Sequence, residues 1–258
     1  MPSTTMRMND GRSPSPAPHP HPSPPPLAGE GRGGGSLYRL LTWLSPTFPV
    51  GAFSFSHGLE ASVASGAVDG RDALERWITA VVTHGSGRID VDILRDAYRA
   101  AAAEDLAALA QANRRGLAFR ATCEMALETA AQGAAFLDTC RAAWPDPFLD
   151  RWAAALEDGP VCYAAAVGAA TARAGIPLEW ALTAYLQAVA ANLVSAGLRL
   201  GIIGQTDGQR ILAALEPIIA SAATAAADRG PESFGSATFA VELASMMHET
   251  QYTRLFRS

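Results

Sequence analysis

Residues 71–84 read RDALERWITAVVTH, and the placement of apolar residues in this stretch decides the fold class. Leu74, Trp77, Ile78, Val81 and Val82 fall at i, i+3, i+4, i+7 and i+8, a single stripe of a 3.6-residue helix, with Arg71, Glu75 and Arg76 off it. One face is core and the other is wet. The same periodicity continues in both directions, and period-2 runs of β-branched residues are missing. The chain is therefore expected to be all-α, a single bundle of about ten helices. Besides the helix that carries this stripe, helices are expected near residues 37–44, 55–64, 88–103, 106–114, 117–143, 149–157, 161–174, 177–200, 208–227 and 236–247.

Several ends carry signals with a mechanism. Pro177 suits a first helical turn, where its missing N–H is no loss. Thr206 and Gln209 have the spacing of a capping box. Gly201 and Gly204 are placed to end the preceding long helix in a tight turn. Pro217 lies inside the stripe Ile211, Leu212, Leu215, Ile218 and Ile219 and predicts a kink without a break. The stretch from Trp180 to Leu198 has no charge and is long enough to span a bilayer. Its alanines, with Thr183, Gln187, Asn192 and Ser195, fit better the central helix of a bundle, packed on every side.

Residues 1–36 include PSPAPHPHPSPPPLAGEGRGGG, a Pro-rich then Gly-rich run expected to be a disordered tail ahead of a globular domain at 37–258. No apolar run near the start resembles a signal-peptide core, and Cys123, Cys140 and Cys162 are too widely spaced for a disulfide framework or a C-x-x-C pair. Both point to the cytoplasm, with the cysteines as small buried residues. The formal charge is −5, which argues against nucleic acid as a partner. All 20 basic residues are Arg, so a phosphate loop of the Walker type, a Schiff-base lysine and a Ser-Lys pair are excluded.

Few residues invite chemistry. His57, His84 and His248 stand apart and are expected in core or surface roles. Asp90, Asp92 and Asp96 resemble the start of an oxygen-rich metal site, but Arg88, Arg95 and Arg99 surround them, and a solvated, neutralised face is expected. Two alternatives stay open: an all-α metal-dependent enzyme using Asp92, Asp96 and a nearby His, and a chain that itself binds a divalent metal such as nickel or zinc through His19, His21 and His248. The ending HETQYTRLFRS alternates Tyr252, Leu255 and Phe256 with Arg254 and Arg257, residue types that dominate binding hot spots. Such a tail either docks into a partner or folds back on its own domain.

Three runs in order resemble the urease accessory protein UreF family. SPTFPVGAFSFSHGLEASVASGAV resembles its signature through Pro49, Val50, Gly51, Phe53, Ser54, Gly58, Leu59 and Glu60, with Ala52 and Phe55 where Gly and Tyr are frequent. SAGLRLGIIGQTDGQRIL is similar to its Pro-Leu-Gly-Gln segment, with Ile202 and Ile203 in place of the usual pair, and the ending resembles the family's tail. The resemblance implies an all-α homodimeric chaperone with no cofactor and no catalytic residue. It bridges UreD (also called UreH) and the nickel-carrying GTPase UreG on apo-urease, in the cytoplasm and away from membranes. It also implies a partner surface at Glu60, Arg199, Gln205, Gln209, Tyr252, Arg254, Leu255, Phe256 and Arg257, supported by the loop residues Pro49, Gly51, Phe53, Phe55 and Gly58. Glu60 and Arg199 match residues that contact or restrain the GTPase.

Overall fold

A computed structural model describes residues 34–258. The described residues form eleven α-helices and two 3-10 turns, with no strand among them. The helices are α1 (Gly34–Trp43), α2 (Leu59–Ala64), α3 (Arg71–His84), α4 (Ser86–Ala102), α5 (Leu106–Ala118) and α6 (Cys123–Ala143). They continue with α7 (Pro147–Ala155), α8 (Tyr163–Arg173), α9 (Leu178–Arg199), α10 (Gln205–Asp228) and α11 (Phe239–Glu249). The stripe predicted from Leu74 to Val82 is the buried face of α3: Leu74, Trp77, Ile78, Val81 and Val82 all enter the core.

Where boundaries depart from the expected ones, local chemistry explains it. Residues 55–58 are not helical, because His57 (φ 55°) and Gly58 (φ 76°) are left-handed and delay α2 until Leu59. The break expected between 114 and 117 falls instead at 119–122: α5 runs on to Ala118, and α6 starts behind Thr122, whose hydroxyl accepts from the Met125 N–H at 3.2 Å. α7 starts earlier than expected, on an Asp146 cap with Pro147 in the first turn. α10 opens at Gln205 behind Gly204 with no side-chain cap, so the Thr206–Gln209 box does not form. Thr206 is already inside the first turn. The helix continues through Pro217. α9 ends as read, with Gly201 at φ 74° and the Ile202 N–H donating to the Gly197 carbonyl at 3.2 Å. α1 reaches back to Gly34, three residues into the stretch read as tail; the rest of that stretch, with His19 and His21, lies outside the described residues.

The centre of the bundle is α8, and not α9 as expected. Every residue from Ala164 to Thr171 is buried, and at Gly168 a methyl group would overlap the Leu94 carbonyl of α4. Small side chains let α4 and α8 cross with backbones almost touching. α9 packs only part of its surface: Leu182, Tyr185, Leu186, Leu193 and Val194 are buried, while Glu179, Trp180, Thr183, Gln187 and Arg199 face outward. Among the described residues α9 and α10 are long and apolar enough to cross a bilayer, but half of the apolar window of α9 is buried inside the bundle, as in the core helix of a helical protein.

Candidate functional site

The loop before α2 clamps the end of the chain. Gly51, at φ 72°, turns the backbone into the 3-10 turn Ala52–Ser54. Phe55 is buried, and its carbonyl accepts from the Asn192 side chain of α9 at 3.2 Å. At Gly58 an added Cβ would fall 2.5 Å from the Ser245 backbone nitrogen, so only glycine lets α11 lie on the start of α2. Held this way, the loop offers its main chain to residues 254–258. The Arg257 N–H donates to the Ser54 carbonyl at 2.7 Å, and the Ser56 N–H to the Ser258 carbonyl at 2.8 Å. Pro49 and Phe53 stay outside, exposed.

Glu60 sits beneath that strap, 7% exposed. Its carboxylate accepts the Leu255 N–H at 2.7 Å and the Phe256 N–H at 2.9 Å, and lies 3.1 Å from His248 Nε2. The other ring nitrogen of His248 is 2.7 Å from Glu124, whose second oxygen accepts from Arg254 Nη1 at 2.6 Å. Phe256 is buried, and the Arg199 guanidinium stacks over its ring at 4.3 Å. The tail therefore folds back on its own domain. Glu60 and Phe256, expected at a partner surface, are interior groups here. Arg199, Gln205, Gln209, Tyr252, Arg254, Leu255 and Arg257 are exposed, Tyr252 completely so.

Below the loop lies a cavity of about 60 Å³ lined by His57, Asp90, Arg120, Glu128, Tyr185 and Asn192 among others. Arg120 donates to Asp90 at 2.6 Å and the Tyr185 hydroxyl to the other Asp90 oxygen at 3.1 Å, all three out of water. Burial, then the charge of Asp90, raises the Tyr185 phenol well above its usual range. His57 lies 2.9 Å from Glu128 and 3.3 Å from Ser86, contacts that hold its left-handed backbone in place. Burial alone would lower its pKa, but the charge and hydrogen bond of Glu128, aided by Asp90 and opposed by Arg120, raise it above the ordinary imidazole value. An imidazolium held so contributes stability that is fully present below the unfolded value of about 6.5 and is lost as pH rises through the higher folded value. His57→Gln is accordingly expected to destabilise the chain more at about pH 6 than at about pH 8, read by thermal unfolding. Equal losses would show that no charged pair is made.

Asp90 and Asp92 do not form the solvated face expected of them. Asp90 belongs to the cavity, and Asp92 is 1% exposed, bonded to Arg229 at 2.7 Å and lying 3.4 Å from Arg95. Asp96 pairs with Arg95 and Arg115. Arg88 and Arg99 donate instead to the carbonyls of Ser233 and Ala227. Each of these carboxylates faces a guanidinium, although Asp92 Oδ2 is buried without a hydrogen-bond partner, and both His248 nitrogens lie against carboxylates. Cys123 is exposed, against expectation, while Cys140 and Cys162 are buried. Sequence reading missed Glu124, Glu128, Arg120 and Tyr185. The signal for Glu128 was present: with Thr129 and Gln132 it interrupts the apolar face of α6 between Met125 and Phe136.

The UreF family model matches residues 68–216. A urease accessory protein UreF from Rhodopseudomonas palustris is 50% identical over 225 residues, which cover 86% of this chain and 91% of that protein. One from Granulibacter bethesdensis is 49% identical over 228 residues, covering 88% and 95%. A Bradyrhizobium relative of the same name is 47% identical over 223 residues, covering 86% and 92%. These relatives span almost the whole described bundle in length, and theirs is an accessory-protein family, not an enzyme family. The chain belongs to the UreF family of urease accessory proteins.

Proposed function

We propose that this chain is a cytoplasmic, homodimeric scaffold for nickel insertion into apo-urease, bridging UreD (UreH) and the GTPase UreG without hydrolysing nucleotide itself. The observation that carries this reading is the outer face of α11. Phe239, Leu243, Met246 and Met247 fall at i, i+4, i+7 and i+8 and are exposed at 76, 59, 47 and 58%. The helix is thus amphipathic with a second apolar side facing water. Beyond it, the exposed Tyr252 and Leu255 add an aromatic and an aliphatic anchor, beside Arg254 and Arg257. An apolar surface rimmed by arginines is the composition of a protein-binding face.

Size exclusion with light scattering, on the chain mixed with its organism's UreD and UreG homologues, a GTP analogue and magnesium, tests it. The three are expected to co-elute as one assembly built on a dimer of this chain. Leu243→Asp with Met247→Asp is expected to weaken UreD binding by about 30-fold or more, since even one central apolar anchor carries about 2 kcal/mol. A wild-type chain that stays apart from both partners in every nucleotide state would sink the reading.

A further inference from the structure

Both carboxylate oxygens of Glu60 are engaged by buried neighbours while the strap is in place. An ionised carboxylate only accepts hydrogen bonds. Here Oε1 takes the Leu255 N–H, and Oε2 takes the Phe256 N–H and faces His248 Nε2. The contacts close a circuit: from Glu60 through His248 to Glu124, from Glu124 to the Arg254 side chain, and along the main chain back to Leu255. His248 is fully buried, and the first turn of α6 is tied to α11 a second time by Glu249, whose carboxylate accepts the Cys123 N–H at 2.8 Å. α2, α6, α11 and the strap therefore meet at one group of buried polar atoms.

The outer side of the same strap carries the exposed candidates. With Leu255 and Phe256 pinned by their backbone N–H groups, Phe256 turns inward beneath Arg199 and Leu255 turns outward. We propose that Glu60 is a positioning residue for partner binding. Its carboxylate sets the strap, the strap sets Arg199, Tyr252 and Leu255 as one surface, and Glu60 reaches the partner only through them. This rests on the scaffold reading above and revises the direct contact that the family resemblance implied for Glu60. It also gives the buried acid a physical reason: a neutral amide would turn an N–H₂ donor toward the strap N–H groups or toward His248.

Hydrogen exchange on the full chain tests the positioning without any partner. In Glu60→Gln the exchange protection of the Leu255 and Phe256 amides is expected to fall by about 10- to 100-fold, with that of α8 unchanged. Leu255→Pro, which deletes one donor at an exposed position and leaves α2 untouched, is expected to loosen the Phe256 amide in the same way; it serves if the first variant does not fold. Binding to the UreD and UreG homologues then separates direct from indirect action. Glu60→Gln is expected to weaken binding in the full chain and to add little further loss when combined with Leu255→Pro. Retained amide protection in Glu60→Gln, or fully additive losses of binding in the combined variant, would overturn the proposal. If the wild-type chain binds neither partner, the scaffold reading fails while the exchange result still decides the positioning.

Discussion

Asp90→Ala is expected to destabilise the fold by about 3–5 kcal/mol, because it leaves a buried guanidinium without its counter-charge. The Arg120 side chain is only 5% exposed, and its remaining contacts are the Gly116 carbonyl at 2.9 Å and the Cys162 sulfur at 3.5 Å, neither of them an anion. A guanidinium is too basic to escape by losing its proton, so in the variant the charge stays buried. Tyr185 loses its acceptor in the same step. Equilibrium unfolding in denaturant reads the loss directly. The paired change Asp90→Leu with Arg120→Met should be milder than Asp90→Ala alone, since it removes both charges and fills the space. A loss of under about 1 kcal/mol for Asp90→Ala would mean that water reaches Arg120 and that the pair is not buried as described.

The second large effect is steric. Gly168→Ala is expected to cost about 3 kcal/mol, at the upper end for overpacking, because the added methyl meets the backbone of Leu94 and no side chain can turn aside to make room. Accommodating it requires α4 to move away from α8, and α8 is buried from Ala164 to Thr171. The gain in helix propensity from Gly to Ala, about 1 kcal/mol, offsets only part of this. Gly34→Ala provides the control. No atom lies within 4 Å of its added Cβ, and its effect should stay within about 0.5 kcal/mol. Comparable midpoints for Gly168→Ala and the wild type in thermal unfolding would contradict the close crossing.

How far the sequence could be read depended on whether a residue's role was local. The stripe of α3 was legible because its five apolar residues face the core at helical spacing. The end of α9 was legible because a left-handed glycine is a local requirement. α6 was read too long because nothing apolar breaks at 119–122; the chain turns there while Arg120 reaches into the cavity to meet Asp90, 30 positions earlier. The signature loop was recognisable as a resemblance, but its work as a clamp was not, since its partners lie about two hundred residues away at Arg257 and Ser258.

Glu60 shows the same division within the candidate site. Its neighbours in sequence mark the start of a short helix and say nothing of His248 or of the strap. Asp90 and Asp92 likewise looked like wet carboxylates, because each follows or precedes an arginine by a few positions and local pairing is the ordinary outcome. In the fold they pair with Arg120 and Arg229, which lie just beyond the ends of α5 and α10. By itself, then, the amino-acid sequence determined the helical class, most helix ends, the exclusion of lysine-dependent chemistry and the family, all of which follow from residue type and short-range spacing. Only the tertiary structure decided which helix is central, which charges are buried and what the end of the chain rests on. Those depend on which surfaces meet when helices pack, and spacing along one helix carries no information about the charge on another.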